Sequence, residues 1–500
     1  MADTKREIER KYASDDSGLP DLTGVAGVVA VVDKGVVLLD ATYYDTADGR
    51  LGAASLTLRR RTGGTDAGWH LKVPVAPGVR DEIHAPLSDT VPDELAGLVR
   101  SRVRDAELLP VMRLRSERDL RHLVDADGTL LAEVSVDLVL AERLTGGDGV
   151  AQWTEIEVEL ADGADPAVLD TLDTRLRKAG VRPAASASKV ARALAETAPK
   201  KKRAGKQKPA PEPVTAGDHV LAYVREQREA LLALDPAVRR DVPDAVHRMR
   251  VATRRLRSTF RSYPEVLDRA ATDPLADELK WLAGELGVDR DREVVTERLV
   301  ASVEELPGEL LAGPVGTRLR TWSQARHGGS RERLTDVLDG ARYLELLVAL
   351  DGLVAEPPFR KAAGGKPGKV ISRAVRKELG KLDARVQEAL ELAPGGERDV
   401  ALHEARKKAK RVRYAAEAAV AALDGPAKTL VKSVKSVQSL LGEHQDSVMI
   451  RAALCELAEQ AHADGENTFT YGVLYGREEQ RAARVETELP GVWAGVRGLG

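Results

Sequence analysis

Two carboxylates and an ammonium stand at alternate positions near the start of this 500-residue chain, in Glu7-Ile8-Glu9-Arg10-Lys11-Tyr12. An extended strand turns every second side chain to one face, so Glu7, Glu9 and Lys11 lie side by side. The habit recurs in Arg59 and Arg61, in His70 and Lys72, in Arg80, Glu82 and His84, and in Arg113 and Arg115. It recurs again in Glu133, Ser135 and Asp137, and in Glu155, Glu157 and Glu159. For any one strand the ordinary explanation is a solvated polar face. Six or more such strands point instead to a closed barrel, polar inside because it holds a polar ligand. Clustered carboxylates repel unless a divalent cation sits among them, and clustered arginines and lysines want an anion. Mg2+ or Mn2+ on oxygen ligands, bridged to phosphate oxygens, satisfies both. Arginine and lysine would spread the charge of a polyphosphate chain while an activated water attacks a terminal phosphorus. Catalysis would then be mostly positioning and charge stabilisation.

Holding these side chains requires antiparallel strands. Residues 1–197 have that texture, with short alternating runs broken by turns such as Asp125-Ala126-Asp127-Gly128. One helix is expected over residues 165–180, closed by Gly180. Residues 197–217 read TAPKKKRAGKQKPAPEPVTAG, with almost nothing to bury, so 198–217 are expected to form a flexible basic linker. Beyond it, over 218–495, apolar residues recur every three or four positions, as in 220–234, 370–390 and 405–423, which is the period of helices.

Composition narrows the partners. With 43% hydrophobic and 31% charged residues the chain is globular, and 76 basic against 79 acidic residues leave a net charge of −3. Any basic surface must therefore come from local segregation of charge. Aromatics at 3% argue against a protein that stacks nucleic-acid bases on rings. The single cysteine, Cys455, rules out an intrachain disulfide and a cysteine-cluster metal site. The opening MADTKREIERKY is charged throughout and no apolar run reaches membrane-spanning length, so the expected home is the cytosol, with no membrane partner.

Glu7-x-Glu9-x-Lys11 resembles the ExExK signature of the CYTH, or triphosphate tunnel metalloenzyme, superfamily. The resemblance continues through Tyr44-Asp45-Thr46, Leu58-Arg59-Arg60-Arg61, Leu71-Lys72, Arg80-x-Glu82, Asp137, Glu155-Ile156-Glu157 and Ser188-Lys189, covering residues 1–195. It implies an eight-stranded antiparallel tunnel that hydrolyses triphosphate compounds with a divalent metal. It also implies that Glu7, Glu9, Asp137, Glu155 and Glu157 bind the metal, and that Lys11, Arg59, Arg61, Lys72, Arg113 and Arg115 hold the phosphates. Glu7, Glu9 and Lys11 would be the catalytic set. Glu159 is fixed less firmly, and Arg118 is left open between ligand residue and surface charge. No adenine-specific feature stands out, which argues against a cyclase.

The second half repeats itself. His247-Arg248-Met249-Arg250-Val251-Ala252-Thr253-Arg254-Arg255-Leu256-Arg257 returns as His403-Glu404-Ala405-Arg406-Lys407-Lys408-Ala409-Lys410-Arg411-Val412-Arg413, offset by 156 residues. Lys280…Leu286-Gly287 returns as Lys435…Leu441-Gly442, offset by 155. On a helix, His247, Arg250, Arg254, Arg257 and Arg261 form one stripe, as do His403, Arg406, Lys410 and Arg413. A merely solvated face would mix its signs, whereas these stripes carry one. His247 and His403 are either satisfied core histidines or phosphate donors, and opening a basic stripe twice favours the second.

This half resembles the CHAD domain, the conserved-histidine α-helical domain often fused behind CYTH. The resemblance implies two four-helix bundles related by pseudo-twofold symmetry, with inorganic polyphosphate as ligand. His247, Arg250, Arg254, Arg257 and Lys280 would bind it in one copy, and His403, Arg406, Lys410, Arg413 and Lys435 in the other. The expectation is a multi-domain protein, an N-terminal antiparallel β-barrel (α+β) followed by an all-α pair of four-helix bundles. It would hydrolyse inorganic triphosphate or a related compound with Mg2+ or Mn2+ and retain polyphosphate, in association with polyphosphate granules. The alternative is a non-catalytic polyphosphate-binding scaffold. Nucleic-acid binding lacks aromatic interleaving, a sequence-reading motif and net positive charge.

Overall fold

The computed structural model describes residues 3–14, 18–199, 212–287, 290–324 and 330–499. The chain divides into two compact units, Met1–Pro209 and Ala210–Gly500. Most of the expected linker, residues 200–211, lies outside the described residues.

In the first unit eight antiparallel strands close on themselves. They are β1 (Asp3–Ala13), β2 (Ala30–Asp45), β3 (Thr57–Thr62), β4 (Gly68–Ala76), β5 (Val79–Ala85), β6 (Leu109–Val124), β7 (Leu130–Arg143) and β8 (Val150–Leu160). Their order is β5-β4-β3-β2-β6-β7-β8-β1, with β1 returning to pair β5. Strand β1 closes the barrel by dividing its length. Lys5 and Glu7 lie opposite Glu82 and Arg80 of β5, whereas Glu9 and Lys11 lie opposite Glu159 and Glu157 of β8. A two-residue β9 (Arg182–Pro183) adds to the end of β1.

Four helices decide which face of the sheet is inside: α1 (Arg50–Ala53), α2 (Asp93–Val103), α3 (Ala167–Lys178) and α4 (Lys189–Glu196). Leu58, Trp69, Leu71 and Ile83 pack beneath α1 and α2, and Tyr12, Val134, Ile156 and Val158 beneath α3. Burying each such side chain stabilises by about 1.5–3 kcal/mol. Where helices cover the sheet, the apolar half of the alternation therefore turns outward beneath them, and the charged half is left to line the interior. Helix α3 ends at Lys178, two residues before the left-handed Gly180 (φ 88°), the terminator expected from sequence. At one end the interior becomes apolar, where Tyr43, Met112, Leu114, Val139 and Trp153 meet Val190, Ala193 and Leu194 of α4. Ser188 caps this plug, its side chain accepting from the Ala191 amide at 3.2 Å.

The second unit is helical throughout its described residues: α5 (Ala216–Arg239), α6 (Ala245–Ser262), α7 (Arg269–Glu285), α8 (Arg290–Glu304), α9 (Val315–Gln324), α10 (Ser330–Asp339), α11 (Ala341–Ala355), α12 (Pro367–Glu391), α13 (Gly396–Leu423), α14 (Gly425–Ala463) and α15 (Phe469–Arg497). Helices α5, α6, α7 and α11 form one group and α12–α15 another, joined chiefly through α6 and α13. Met249, Leu256 and Phe260 of α6 share a core with Ala405, Val412 and Ala416 of α13. The Tyr263 hydroxyl, just past α6, donates to the Ala415 carbonyl of α13 at 2.6 Å. Helices α8 and α9 close a smaller core with the end of α14 and the start of α15. Among the described residues no helix is long and apolar enough to cross a membrane.

Candidate functional site

The barrel encloses a cavity of about 600 Å³. Seven carboxylates and eight lysine or arginine side chains line it, so most ions here can be buried only by pairing with one another. The strand register sets out the pairs. Glu9, Glu159 and Glu133 fall opposite one another across β1, β8 and β7, one row from Lys11, Glu157 and Ser135. Lys11 reaches Glu157 and, at 3.0 Å, Glu9. Arg118 forks onto both oxygens of Asp137 at 2.8 Å and reaches Glu157 at 2.8 Å. Lys189, the first residue of the plug helix, lies 2.9 Å from Asp137, 2.9 Å from Glu155 and 2.6 Å from Glu157.

The charges are not equally well met. Burial works against ionisation of Glu9, Asp137 and Glu157, yet the adjacent lysines (with Arg118 for Asp137 and Glu157) hold all three below the usual carboxylate range. Glu7 goes the other way. Burial, added to the charges of Glu82 and Glu159, outweighs Lys72 and pushes it up to about 7. Glu82, despite its burial, stays ionised because Lys72, His70 and Arg59 surround it, so the proton shared by this coupled pair sits on Glu7. On the basic side, burial and neighbouring Arg59 pull Arg61 down to about 9, although Asp66 touches it. Burial also pushes His70 down to about 4 against the pull of Glu82. Burial thus disfavours the charged forms of Glu7 and Arg61, although Lys72 lies 2.5 Å from Glu7 and Asp66 touches Arg61.

Of the residues expected from sequence, Glu7, Glu9, Glu157, Lys11, Arg59, Arg61 and Lys72 line the cavity together. Asp137 and Glu155 lie deeper, beneath Lys189. With Glu157 they form an oxygen-only triad whose ligand atoms fall within 4.8 Å of one another, but the Lys189 ammonium already sits among them. Arg113 and Arg115 are corrections. They face outward, half exposed, and pair with Asp40 at 2.6 Å and Glu142 at 3.4 Å. The reason is parity, for the inward residues of β6 are Met112 and Leu114 at the plugged end, then Ser116 and Arg118. Arg118, left open from sequence, is the β6 cation of the cavity. Lys189 falls within the stretch that carries the family resemblance, but it has no role predicted from sequence because a helix offers no period-two alternation to tie it to the acids. Lys5 and Glu133 simply continue stripes already visible.

In the second unit the two repeated motifs of each copy meet. The Arg250 guanidinium lies where a Cβ on Gly287 would fall, 2.6 Å away, and that of Arg406 lies 3.2 Å from a Cβ on Gly442. The glycines were repeated because they make room for the arginines. Arg257 is partly buried, its Nε has no hydrogen-bond partner, and burial together with Arg261, Arg411 and Arg254 pulls its pKa down. Lys408 is lowered by burial and the same Arg411. Lys280 and Lys435 are exposed on α7 and α14. His403 is half-buried and is pulled down by burial and Lys407. Arg413 instead pairs with Glu417 at 3.1 Å. On α14, buried His444 lies 3.4 Å from Asp399 of α13 and from Glu486 of α15, a set able to hold a metal. Arg451 already takes Asp399 at 3.1 Å and Arg398 takes Glu486 at 3.0 Å, so the set is an ion-pair knot joining α13, α14 and α15.

Residues 5–194 match the CYTH domain and residues 222–455 the CHAD domain. Uncharacterized proteins of Mycobacterium tuberculosis, strains CDC 1551 and H37Rv, are each 40% identical over 499 residues, 97% of this chain and 94% of theirs. The chain belongs to the family that joins a CYTH domain to a CHAD domain. Among solved structures it is similar to PptA from Streptomyces chartreusis (TM-score 0.47, 20% identity, 56% of this chain and 99% of that one). It is also similar to a Hippeastrum protein described as having a dominant triphosphatase activity (TM-score 0.20, 18% identity, 38% and 94%).

Proposed function

We propose that the barrel hydrolyses inorganic triphosphate, or a compound ending in one, with a divalent cation, and that the helical unit binds inorganic polyphosphate. The observation that carries the reading is one enclosure lined by acids that suit a cation and by arginines and lysines that suit an anion. Within it burial pushes Glu7 up to about 7 and pulls Arg61 down, although Lys72 and Asp66 touch them. A metal triphosphate supplies both cation and anion. The oxygen-only donors suit Mg2+ or Mn2+, and Glu7 and Glu9, with Glu157 of the neighbouring strand β8, would hold the ion. Asp137 and Glu155 serve Lys189 instead.

The ion would neutralise charge on the phosphate oxygens. Arg59, Arg61, Lys72 and Arg118 bind and spread the charge of the chain. Lys11, fixed by Glu9 and Glu157, faces the phosphoryl group under attack. The apolar plug of α4 excludes bulk water from one end. Water adds to a terminal phosphorus, the bridging P–O bond breaks, and pyrophosphate leaves with inorganic phosphate as the second product. The measurement that tests this is phosphate release from triphosphate by the full chain. Release should need Mg2+ or Mn2+ and fall at least about 100-fold in Glu9→Gln. Metal-independent release would overturn the role given to the cation, and no release would turn the assignment toward a binding scaffold.

For the helical unit, the single-signed stripes of α6 and α13 support a phosphate polymer. Binding should weaken steeply with salt and, at matched salt, favour polyphosphate over duplex DNA.

A further inference from the structure

The duplication places equivalent residues 156 positions apart, so Arg255 corresponds to Arg411, Arg257 to Arg413, and Arg261 to Glu417. Helices α6 and α13 pack together, and their arginines meet in two crossed pairs, Arg255 with Arg413 and Arg411 with Arg257. These are pseudo-equivalent seats, but they are furnished differently. In the first, one oxygen of Glu417 takes Arg255 at 2.9 Å and the other takes Arg413 at 3.1 Å. The Tyr223 hydroxyl donates to the same carboxylate at 3.2 Å, and the Tyr414 ring lies 5.9 Å and 4.8 Å from the two guanidinium carbons. In the second, the position of Glu417 carries Arg261 and that of Tyr414 carries Ser258. The charges that act most on Arg257 there are Arg261, Arg411 and Arg254, opposed by Asp277 of α7. Lys408, Lys381 and Arg385 add positive charge around Arg411, against Glu378.

We propose that the two seats have diverged, with Arg257, Arg261 and Arg411 forming an open phosphate seat and Glu417 closing its pseudo-equivalent by standing where a phosphate would lie. A carboxylate clamped between two guanidiniums meets the need that a phosphate group would meet, with donors of the same kind. Among the described residues no carboxylate pairs with Arg257, Arg261 or Arg411, and the Arg257 Nε is buried without a hydrogen-bond partner; the Arg413 Nε lacks a hydrogen bond too, but its charge is met by Glu417 at 3.1 Å. The inference rests on the polyphosphate reading and adds that the polymer is gripped from one side of the duplicated pair.

The test titrates long-chain inorganic polyphosphate into the full chain over a salt series. Arg261→Glu, which installs the closure in the open seat, should weaken binding at least about 10-fold, well beyond Arg261→Gln. Glu417→Gln, which opens the closed seat, should tighten binding several-fold. It should also steepen the dependence of log K on log salt by about 0.7, one phosphate contact on a single-stranded polyanion. Wild-type binding with Arg261→Glu no weaker than Arg261→Gln overturns the inference, whether or not Glu417→Gln folds. Failure of the wild type to prefer polyphosphate over duplex DNA overturns the underlying reading instead.

Discussion

The barrel and the paired helices α6 and α13 both gather charge, but they handle it in opposite ways. The barrel mixes signs, and nearly every buried ion there leans on a partner, as Lys189 does on three carboxylates and Arg118 on two. The facing stripes of the helices are mainly basic, and among the described residues Glu417 is the carboxylate that pairs with the arginines between them, on one side. A mixed enclosure is rigid and ready-made, but a ligand must compete with existing ion pairs. A single-signed seat is open at once and held only by helix packing. Removing one partner should therefore be costly in the barrel and cheap in the helices.

The largest effect expected from that contrast is in Lys189→Met. It leaves Asp137, Glu155 and Glu157 around Arg118 and Lys11 alone, and breaking a buried ion cluster typically costs about 3–5 kcal/mol. Chemical unfolding of the first unit, followed in the full chain, measures it. A loss under about 1 kcal/mol would mean that the cluster is looser than its distances suggest.

A smaller effect comes from Glu7. Its pKa is raised in the folded state, so its contribution to stability is fully present below about 4.5 and is lost as pH rises through about 7. The two values differ by an amount equivalent to about 3 kcal/mol. Mg2+ should restore what ionisation of Glu7 removes. Its stabilisation of the chain in thermal unfolding should therefore be larger at pH 8 than at pH 6, and the difference should vanish in Glu7→Gln.

In the helices, Gly287→Ala should displace the Arg250 guanidinium, the mobile end of a long side chain, and lower polyphosphate affinity several-fold for under about 1 kcal/mol of stability. Gly442→Ala, with 3.2 Å to Arg406 in place of 2.6 Å, should do less. The smallest effect belongs to Arg113→Ala and Arg115→Ala. Both side chains lie outside the barrel, so triphosphate turnover should stay within about twofold of wild type, whereas Arg59→Ala should lose most of it.

Much of this was legible in the sequence. Period-two charge on six strands required a polar interior, and the fixed offset of two motifs required a duplicated helical unit. What escaped was parity and distance along the chain. On β6 the inward alternation begins with Met112 and Leu114, apolar because α4 plugs that end, so the charged pair Arg113 and Arg115 was assigned to the wrong face. Lys189 sits on a helix 52 residues beyond Asp137, and no local pattern ties it to the acids it neutralises. The exchange of Arg261 for Glu417 was visible as letters, but only the packing of α6 on α13 shows that it empties one seat and fills the other.

The decisive measurement is the thermodynamic coupling of the cation and the triphosphate proposed for the barrel. Mg2+ affinity of a slowly turning-over variant such as Lys11→Ala should be titrated calorimetrically with and without triphosphate. A site that gathers acids and cations in one enclosure should show each ion tightening the other at least about 10-fold, reciprocally. Independent binding of the two, or binding of triphosphate unaffected by the cation, would contradict the account.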